Sequence, residues 1–442
     1  MDYKNNINFR KQSLIKLLYT IKLYENEITE ALYKDFKKPA FEAFVTEINI
    51  VLDDLKYTLN NINSWAKPKK VLPSFLNFPS KEYIYSEPYG NTLVISPWNY
   101  PFQLALCPLI AAVAAGNKVT LKPSELTPNT SSLISKIIRE TFDPKHVIAV
   151  LGDARLSEEL LKKRWDYIFF TGSVAVGKIV YKAAAEHLTP VTLELGGKNP
   201  CIIDETANLP LAAKRIVWGK FINAGQTCIA PDYILVKPNI KNKFLSLLRQ
   251  EIINAYGENQ ELSPDFPRII NRDHWKRLVG LMEFQDIAFG GSHNEDDNYL
   301  APTLIDEPNL DSAIMKEEIF GPLLPILSYT NNDDLKRIIS KSEKPLSLYV
   351  FTENNAFAEK IIHEYSFGGG CINDTVVHFS NRRLPFGGVG SSGIGAYHGK
   401  LSFDTFSHKK AIVKKANWLD IPFRYAPYNN KLKMIKKILK WI

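Results

Sequence analysis

The sequence is poor in cysteine. Its 442 residues include only four, Cys107, Cys201, Cys228 and Cys371, which are far apart and form no CxxC or Cys/His cluster. Such spacing argues against a disulfide framework and against a zinc site. We therefore expect no metal ion, and we expect a reducing compartment, the cytoplasm.

Long apolar segments are also missing. The N-terminal stretch, MDYKNNINFRKQSLIK, lacks the apolar centre of a signal peptide. The longest apolar run, LALCPLIAAVAAG, contains Pro108 and is too short to cross a bilayer. This run predicts a buried helix.

Signatures of nucleic-acid binding are absent as well. The net charge is +8, but the basic residues are spread along most of the chain without an arginine-rich run. No RNP, zinc-finger or helix-turn-helix pattern accompanies them. We expect no nucleic-acid partner.

What the sequence does contain is an alternation of strands and helices. Residues 9–62 have helical periodicity with charged faces. From residue 92, apolar β-branched runs such as TLVIS, KVTLK and YIFFTG alternate with helical stretches, and a second set runs from Pro200 to about Thr375. Apolar strands alternating with helices are typical of parallel sheets covered on both faces. The pattern predicts an α/β fold with two such sheets.

Two glycine-rich segments resemble nucleotide-binding motifs. The literal GxGxxG at residues 388–393 has no strand before it and predicts only a tight loop. FFTGSVAVGKIV places Gly172, Gly177 and Lys178 at P-loop spacing, but Ile179 stands where a magnesium ligand is required. What remains is a strand, a turn and a helix N-terminus, which favours an anion such as a cofactor pyrophosphate.

Two further segments carry chemically reactive side chains. In FINAGQTCIAPDY, the residues Gly225, Gln226 and Thr227 precede Cys228, an arrangement that suits an accessible nucleophile. In LELGGKNP, Glu194 ends an apolar strand beside two glycines, from where it could project into a cleft. Taken alone, each residue has a commoner interpretation: an inert buried thiol and an ion-paired carboxylate.

Together these segments resemble the aldehyde dehydrogenase superfamily. The matching blocks, in order along the chain, are SPWNYP (96–101), LKPSE (121–125), FTGS (170–173), LELGGK (193–198), GQTCIAPDY (225–233), EEIFGP (317–322) and PFGGVGSSGIG (385–395). GQTCIAPDY, PWNYP and the short N-terminus are similar to class 3, which includes fatty and aromatic aldehyde dehydrogenases. The resemblance implies a Rossmann-type cofactor domain, an α/β catalytic domain and a small β bridging element.

The resemblance also implies catalytic roles. Cys228 would attack the aldehyde to form a thiohemiacetal and then a thioester. The side-chain amide of Asn99 and the cysteine's own backbone N–H would stabilise the oxyanion. Glu194 would activate water for hydrolysis, and Glu318 would bind the nicotinamide ribose and assist deacylation.

The same resemblance implies a cofactor site. Lys122 and Glu125 would hold the adenosine ribose, and because a carboxylate there repels a 2′-phosphate, we expect NAD to be preferred, with NADP still possible. The full set of implied cofactor-binding residues is Trp98, Lys122, Glu125, Gly152, Gly172, Ser173, Gly177, Glu318 and Phe320.

The expected domain organisation follows from the resemblance. The NAD(P)-binding domain would comprise residues 1–79 and 92–195, and the catalytic domain residues 196–400. Residues 80–91 and 401–416 would form the bridging element, which implies a homodimer. SFDTFSHKKAIVKK has the alternating apolar character of a strand for this element.

The last segment, residues 429–442, predicts a basic amphipathic helix. On a helical wheel, one half carries Leu432, Met434, Ile435, Ile438, Leu439, Trp441 and Ile442, and lysines fill much of the other half. Such a helix can lie in an anionic membrane interface, so we expect possible peripheral attachment at the inner face of a membrane. It could instead pack on the dimer or cap the substrate tunnel.

The substrate and two alternatives remain open at this stage. We expect an aldehyde that is long-chain aliphatic, lipid-derived or aromatic, with Tyr100 and Phe379 shaping an apolar tunnel. One alternative is a CoA-acylating aldehyde dehydrogenase, against which Glu194 argues. The other is a catalytically silent nucleotide-binding relative.

Overall fold

The computed structural model describes residues 6–420, 422–429, 431–438 and 440. Its α-helices are α1 (Ile7–Leu23), α2 (Glu25–Phe36), α3 (Ala40–Ala43), α4 (Asn49–Trp65), α5 (Gln103–Ala115), α6 (Pro128–Thr141), α7 (Ala154–Leu161), α8 (Val174–Glu186), α9 (Leu209–Phe221), α10 (Pro238–Tyr256), α11 (Arg272–Met282), α12 (Ala313–Lys316), α13 (Asn332–Ile339), α14 (Asn355–Glu364), α15 (Gly399–Thr405) and α16 (Lys431–Ile438). A π-helical turn, Phe44–Ile48, joins α3 to α4.

The strands form four sheets within the described residues. In chain order they are β1 (Lys69–Val71), β2 (Ser80–Pro88), β3 (Asn91–Ile95), β4 (Lys118–Lys122), β5 (Val147–Ala149), β6 (Tyr167–Thr171), β7 (Val191–Glu194), β8 (Pro200–Ile203), β9 (Tyr233–Val236), β10 (Asp286–Phe289), β11 (His293–Asn294), β12 (Tyr299–Leu300), β13 (Thr303–Asp306), β14 (Leu323–Ser328), β15 (Ser347–Phe351), β16 (Gly369–Ile372), β17 (Gly393–Ile394) and β18 (Ser407–Lys415).

The first large sheet has the order β17-β7-β6-β3-β4-β5. Strands β3 to β7 pair in parallel, and helices cover them because β-branched, continuously apolar strands must be buried on both faces. Helix α5 lies in this cover and all of its residues are buried, which confirms the prediction for the longest apolar run. The N-terminal helices α1 and α4 pack on α5 in the same core.

The second large sheet has the order β10-β13-β14-β9-β8-β15-β16. It is parallel except for β10, which pairs antiparallel with β13 at one edge. Its core includes fully buried aliphatic residues from β8 and β9, packed against α9 and α10. The two sheets confirm the predicted α/β fold, and they place the carboxyl ends of β6 and β7 next to the chain segments that enter β8 and β9.

The third sheet is small and antiparallel, with the order β1-β2-β18. The prediction for the SFDTFSHKKAIVKK segment is partly wrong, since its first residues lie in α15 and only Ser407–Lys415 is a strand. The buried side chains of Ser402 and Phe403 explain the difference, because α15 packs them against α4 and α5.

A tight loop near the C-terminus leads the chain back to the first sheet. The glycine-rich segment 388–393 is a tight loop, as predicted, and a Cβ on Gly388 would lie 2.1 Å from the carbonyl oxygen of Ser392. Strand β17 follows it and pairs with β7, setting Gly393 opposite Glu194. Residues beyond 390 therefore rejoin the first sheet.

Among the described residues, no helix has the length and apolarity needed to cross a membrane.

Candidate active site

The turn before Cys228 has an uncommon backbone conformation. Asn223, Ala224 and Gly225 have φ values of 55°, 52° and 73°, so three consecutive residues lie in the left-handed region. A Cβ on Gly225 would lie 2.3 Å from the carbonyl oxygen of Gly321, so only glycine fits there. The glycine in GQTC is therefore required by the backbone.

Buried amides hold this turn in place. The Nε2 of Gln226 donates to the carbonyl oxygens of Asn223 and Arg268, both at 3.0 Å, and its Oε1 accepts from the N–H of Ile270. The Nδ2 of Asn99 donates to the Gln226 carbonyl at 3.1 Å. Since an amide nitrogen carries two hydrogens, Asn99 keeps a second N–H for another acceptor.

The segment that follows Cys228 is fixed from the second sheet. Asn199, just before β8, donates through Nδ2 to the carbonyl oxygens of Cys228 (2.8 Å) and Ala230 (3.0 Å). The backbone N–H groups of Cys228 and Ile229 face the sulfur and favour its ionised form. Backbone N–H groups this close to the sulfur are donors available to an oxyanion on a Cys228 adduct.

A cavity of about 400 Å³ opens onto Cys228. Its wall is predominantly apolar and includes Tyr100 and Phe379, as the sequence predicted for a tunnel. Further apolar wall residues are Ile50, Leu104, Trp218, Ile222, Val376 and Phe386. Sequence reasoning missed most of these residues, because they come from distant elements and belong to no motif.

Glu194 lies in the same cavity wall, at the carboxyl end of β7. Its side chain is 3% exposed, and neither carboxyl oxygen has a hydrogen-bond partner among the described residues. Burial raises its pKa well above the ordinary value of 4.5. A desolvated carboxylate is a strong base once ionised, since its pKa is closer to the pKa of the group from which it removes a proton.

The Cys228 thiol is neutral at physiological pH. Desolvation, and then the nearby carboxylates of Glu318 and Glu194, raise its pKa to about 12, which outweighs the two backbone N–H groups. The thiolate is the reactive form, so this environment holds the sulfur unreactive until a positive charge or a base favours ionisation.

Glu318 approaches Cys228 from the loop before β14. A Cβ on Gly196 would lie 2.1 Å from Oε2 of Glu318, so the glycine leaves the space that the carboxylate occupies. Desolvation and the charge of Asp232 raise the pKa of Glu318 to about 8. Arg277 holds the adjoining backbone, donating from Nη2 to the carbonyl oxygen of Ile319 at 2.6 Å.

The carboxyl ends of β3, β4 and β6 form the edge where a dinucleotide would bind in a fold of this kind. Two buried hydroxyls at this edge, on Ser96 and Thr171, have no hydrogen-bond partner among the described residues. Ser173 caps α8, accepting from the N–H of Val176 at 3.4 Å. The unpaired donors and the helix N-terminus fit a polar, anionic ligand.

Other implied cofactor residues lie around this edge. The Nζ of Lys122 is 2.5 Å from Oε2 of Glu125, so the expected ribose-binding residues form an ion pair. The rings of Trp98 and Phe320 meet edge to face, with centroids 5.3 Å apart. When bound, NAD(P) supplies the acceptor for the hydride lost by the aldehyde.

Three glycines of the predicted cofactor site have clear packing constraints. A Cβ would lie 2.5 Å from Leu156 if added to Gly152, 2.6 Å from Phe170 if added to Gly172, and 2.6 Å from Leu195 if added to Gly177. The N–H of Gly177 bonds the Ser173 carbonyl, and that of Gly172 bonds the Glu194 carbonyl. Neither N–H is directed at a ligand, so their cofactor contacts remain predictions.

The other cysteines occupy different settings. Cys201 is buried in the core of the second sheet. Cys107 was expected in the core and does belong to the core around α5, but it also lines the cavity. Cys371, on the edge strand β16, is half-buried, with its Sγ 3.6 Å from Nδ1 of His378. The residues lining the cavity include Cys228 and Cys107 but not Cys371.

A thiol and a carboxylate in an apolar cavity, beside the edge of a parallel sheet where a dinucleotide would bind, suit an oxidoreductase that forms a covalent intermediate on sulfur. The comparison with known families agrees: residues 4–412 match the model of the aldehyde dehydrogenase family, and the chain belongs to this family. It is an NAD(P)-dependent aldehyde dehydrogenase.

Individual relatives resemble the chain over nearly its whole length. It is 50% identical to the 4,4'-diaponeurosporen-aldehyde dehydrogenase of Staphylococcus aureus, over 98% of this chain and 95% of that protein. It is 46% identical to aldehyde dehydrogenase family 3 member A2 of Pongo abelii, over 93% and 84% of the two chains. A solved structure of Staphylococcus aureus AldH in a substrate-bound state superposes with a TM-score of 0.97 at 49% identity, over 99% and 96%.

Proposed function

We propose that the enzyme oxidises long apolar aldehydes through a covalent intermediate on Cys228. The observation that carries this proposal is the apolar cavity whose wall contains both Cys228 and Glu194. A nucleophile and a base in one water-poor space match the needs of acyl transfer followed by hydrolysis.

In the first step, the Cys228 thiol gives its proton to solvent water, its sulfur bonds to the carbonyl carbon of the aldehyde, and the carbonyl oxygen becomes an oxyanion. The free N–H of Asn99 and the backbone N–H of Cys228 stabilise that charge. The aldehyde hydrogen then leaves with its electron pair, for which bound NAD(P) would be the acceptor, and a thioester on Cys228 remains.

In the second step, Glu194 takes a proton from water, whose oxygen attacks the thioester carbon. The C–S bond breaks, the sulfur takes the proton held by Glu194, and the acid is released. Glu318 assists, since both carboxylates are close enough to influence the pKa of the same sulfur. Hydrolysis rather than transfer to CoA follows from a base buried beside the thioester, and a comparison of products with and without CoA tests it.

The proposed substrates are long-chain aliphatic, lipid-derived or aromatic aldehydes. The wall of the cavity offers apolar surface rather than charged partners, and each buried methylene of a ligand gains about 0.8 kcal/mol. The relatives' names point the same way, with one naming a diaponeurosporen aldehyde.

Reduction of NAD(P) should be measured with aliphatic aldehydes of rising chain length, with benzaldehyde and with a polyene aldehyde. We expect kcat/KM to rise with apolar length. In Ile50→Asn, which puts an amide into the wall, it should fall more for long than for short aldehydes. Ile15→Asn is the control, because Ile15 is 38% exposed on α1 and lies outside the wall. A preference for short aldehydes would contradict the proposal.

We propose NAD as the preferred cofactor. The carboxylate of Glu125 sits where the ribose hydroxyls are expected and would repel a 2′-phosphate, although its pairing with Lys122 reduces that repulsion. A relative in Canis lupus familiaris is named NADP-preferring, so preference varies within the family. Glu125→Gln should raise kcat/KM for NADP relative to NAD, and an unchanged ratio would contradict this assignment.

We also propose the predicted domain division and a homodimer. The division into residues 1–79 with 92–195, 196–400, and 80–91 with 401–416 follows the three larger sheets, apart from β1, β17 and α15. Strand β18 is an edge strand with Ile412 and Val413 exposed, and the relative in Canis lupus familiaris is named dimeric. Light scattering should give a dimer, and Ile412→Lys with Val413→Lys should give a monomer.

The C-terminal helix is proposed to contact an anionic membrane from the cytoplasmic side. In α16, Leu432 is 63% and Met434 41% exposed, and Lys433, Lys436 and Lys437 are exposed as well. Leu439, Trp441 and Ile442 of the predicted apolar face lie outside the described residues, as does the side chain of Ile438. No described residue of the tail lines the cavity, so tunnel capping within one subunit finds no support.

Flotation with anionic and neutral liposomes tests the membrane proposal. We expect the full chain to float with anionic vesicles and a chain ending at Tyr428 to remain behind. Equal flotation of both forms, or flotation independent of lipid charge, would contradict it.

A further inference from the structure

A buried ion pair in the N-terminal helical layer lies next to the segment that carries Asn99. The Nζ of Lys38 is 2.8 Å from Oε1 of Glu47, and both side chains are 0% exposed. Removing two charges from water is costly, so a pair this deep is weak evidence for stability. Its contacts indicate that it positions the neighbouring backbone.

The carboxylate of Glu47 holds the start of α5. Its Oε2 accepts from the backbone N–H groups of Phe102 (2.8 Å) and Gln103 (3.2 Å). These N–H groups belong to the first turn of a helix, which has no internal acceptors for them. Because Asn99 lies only three residues earlier, Glu47 fixes the backbone from which the Asn99 amide projects.

The ammonium group of Lys38 continues the connection toward Cys228. It lies 4.0 Å from the ring centroid of Tyr100, within the range of a cation–π contact. The hydroxyl oxygen of Tyr100 is 2.7 Å from Oγ1 of Thr227, the residue immediately before Cys228. The same pair therefore reaches both sides of the reacting centre.

The chain adopts an uncommon conformation to place Glu47 here. It lies in the π-helical turn Phe44–Ile48, and a residue inserted by such a turn changes which side chains face inward. The neighbouring Val45 and Thr46 line the cavity, whereas Glu47 points to the core. Glu42 makes a second contact between the N-terminal helices and the turn before Cys228, since its Oε2 accepts from the N–H of Asn223 at 3.0 Å.

We infer that Lys38 and Glu47 are positioning residues for the reaction: together they set the Asn99 amide through α5 and the Cys228 turn through the Tyr100–Thr227 hydrogen bond. The inference rests on the roles proposed above for Asn99 and Cys228. Lys38 and Glu47 do not themselves contact the aldehyde. They act on acylation only through Asn99 and Cys228.

Charge-neutral replacement of the pair separates positioning from stability. Lys38→Met leaves the buried charge of Glu47 without its partner, and Glu47→Gln does the same to Lys38. Each single variant should therefore have a lower Tm. The double variant has no charge, yet the amide oxygen introduced by Glu47→Gln can still accept from the α5 N–H groups, so it should regain thermal stability. Because a neutral amide accepts more weakly than a carboxylate, and because the cation–π contact of Lys38 with Tyr100 is lost, we expect its kcat to stay about tenfold below that of the unmodified enzyme, with KM for NAD(P) unchanged. A double variant with unreduced kcat overturns the inference.

Two isosteric variants keep the test decisive if the core variants fail to fold. Tyr100→Phe and Thr227→Val remove the same hydroxyl contact from opposite sides and preserve shape. Each should lower kcat by a similar factor without raising KM for the aldehyde, and the pair should be non-additive. Unchanged kcat overturns the inference because it indicates that the hydroxyl contact has no role in the reaction. A change confined to KM for the aldehyde also overturns it, because it indicates a contact with the substrate.

Two controls complete the experiment. Lys241→Met removes a largely buried cation that pairs with Asp306 and Glu307 on the far side of the second sheet, and it should lower the Tm while kcat stays unchanged. Cys228→Ala tests the proposed mechanism itself. If Cys228→Ala is active, the proposed mechanism fails; if it is inactive and the pair variants keep full kcat, only the inference about the pair fails.

Discussion

Two half-buried cysteines, Cys228 and Cys371, show how misleading local partners can be. Cys371 has an imidazole beside it, with His378 Nδ1 3.6 Å from Sγ and Ser347 Oγ 3.4 Å from the other ring nitrogen. Around Cys228 the groups that influence ionisation are two backbone N–H groups and two carboxylates. By side-chain contacts alone, Cys371 looks more like a nucleophile.

The surroundings reverse that impression. Burial lowers the pKa of His378 to about 4 and raises the pKa of the Cys371 thiol, so the pair is neutral and no thiolate–imidazolium forms. Cys371 also lies on an edge strand outside the cavity wall, whereas Cys228 faces the cavity with Glu194. Reactivity here depends on access to a shaped apolar space more than on an adjacent base.

Removing each sulfur is the most severe test of this comparison. Cys228→Ala should reduce aldehyde oxidation by about 10³-fold or more, the scale seen when a nucleophile is deleted. Cys371→Ala should keep activity within about twofold, since surface-side substitutions away from a site have small effects. Steady-state reduction of NAD(P) measures both, and a reversed order would end the assignment.

The carboxylate beside Cys228 is the next test. Glu194→Gln should lower steady-state turnover by roughly 10²-fold, the usual contribution of a general base. The first turnover should be affected less, because Cys228 can still form the thioester. Rapid-mixing measurements of the burst against the steady state decide the matter, and an equal loss in both phases would assign Glu194 to acylation.

Alkylation by iodoacetamide sharpens the difference between the two thiols. Below its pKa of about 12, the Cys228 thiolate fraction rises about tenfold per pH unit, and its labelling should rise in step. Glu318 becomes charged only as the pH passes about 8, so Glu318→Gln should label faster than the native enzyme above that pH and equally below it. Cys371 labelling, followed by peptide mass spectrometry, should not respond to this substitution.

The smallest expected effect is on stability. In the unfolded chain Glu194 ionises near 4.5, whereas in the folded protein its pKa is far higher. Between these values the unfolded state releases a proton that the folded state keeps, so stability falls as the pH rises through this window. Glu194→Gln should therefore raise the Tm by about 2 °C near pH 8. Below pH 4.5 the substitution should leave the Tm unchanged. A benefit independent of pH would indicate packing instead.

The sequence predicted the framework of the molecule because local patterns carried it. Apolar β-branched runs such as TLVIS and YILVK correspond to β3 and β9, and the buried run at residues 104–116 corresponds to α5. The α/β fold is confirmed, and Tyr100 and Phe379 do line the cavity. Of the predicted catalytic residues, Cys228 and Glu194 share one wall of the cavity, and their roles stay predictions.

What sequence reasoning missed depends on contacts between distant segments. Glu47 has no motif around it, and its importance arises from the π-helical turn and from N–H groups more than fifty positions later. The segment before β18 reads as a strand, but burial of Phe403 against α4 and α5 makes it helical. The high pKa of Cys228 likewise comes first from burial and then from carboxylates on other elements.

The pairing of β17 with β7 has a consequence for how the enzyme is made. Gly393 lies opposite Glu194 in the sheet, so the strand beside this carboxylate is translated long after the carboxylate itself. A ribosome-bound chain that has already released Cys228 still lacks β17 and the cavity-wall residues that follow it, Tyr397, His398 and Ser402. Newly synthesised protein therefore completes its reactive centre only after β17 has left the ribosome, and products terminated before that strand cannot contain it.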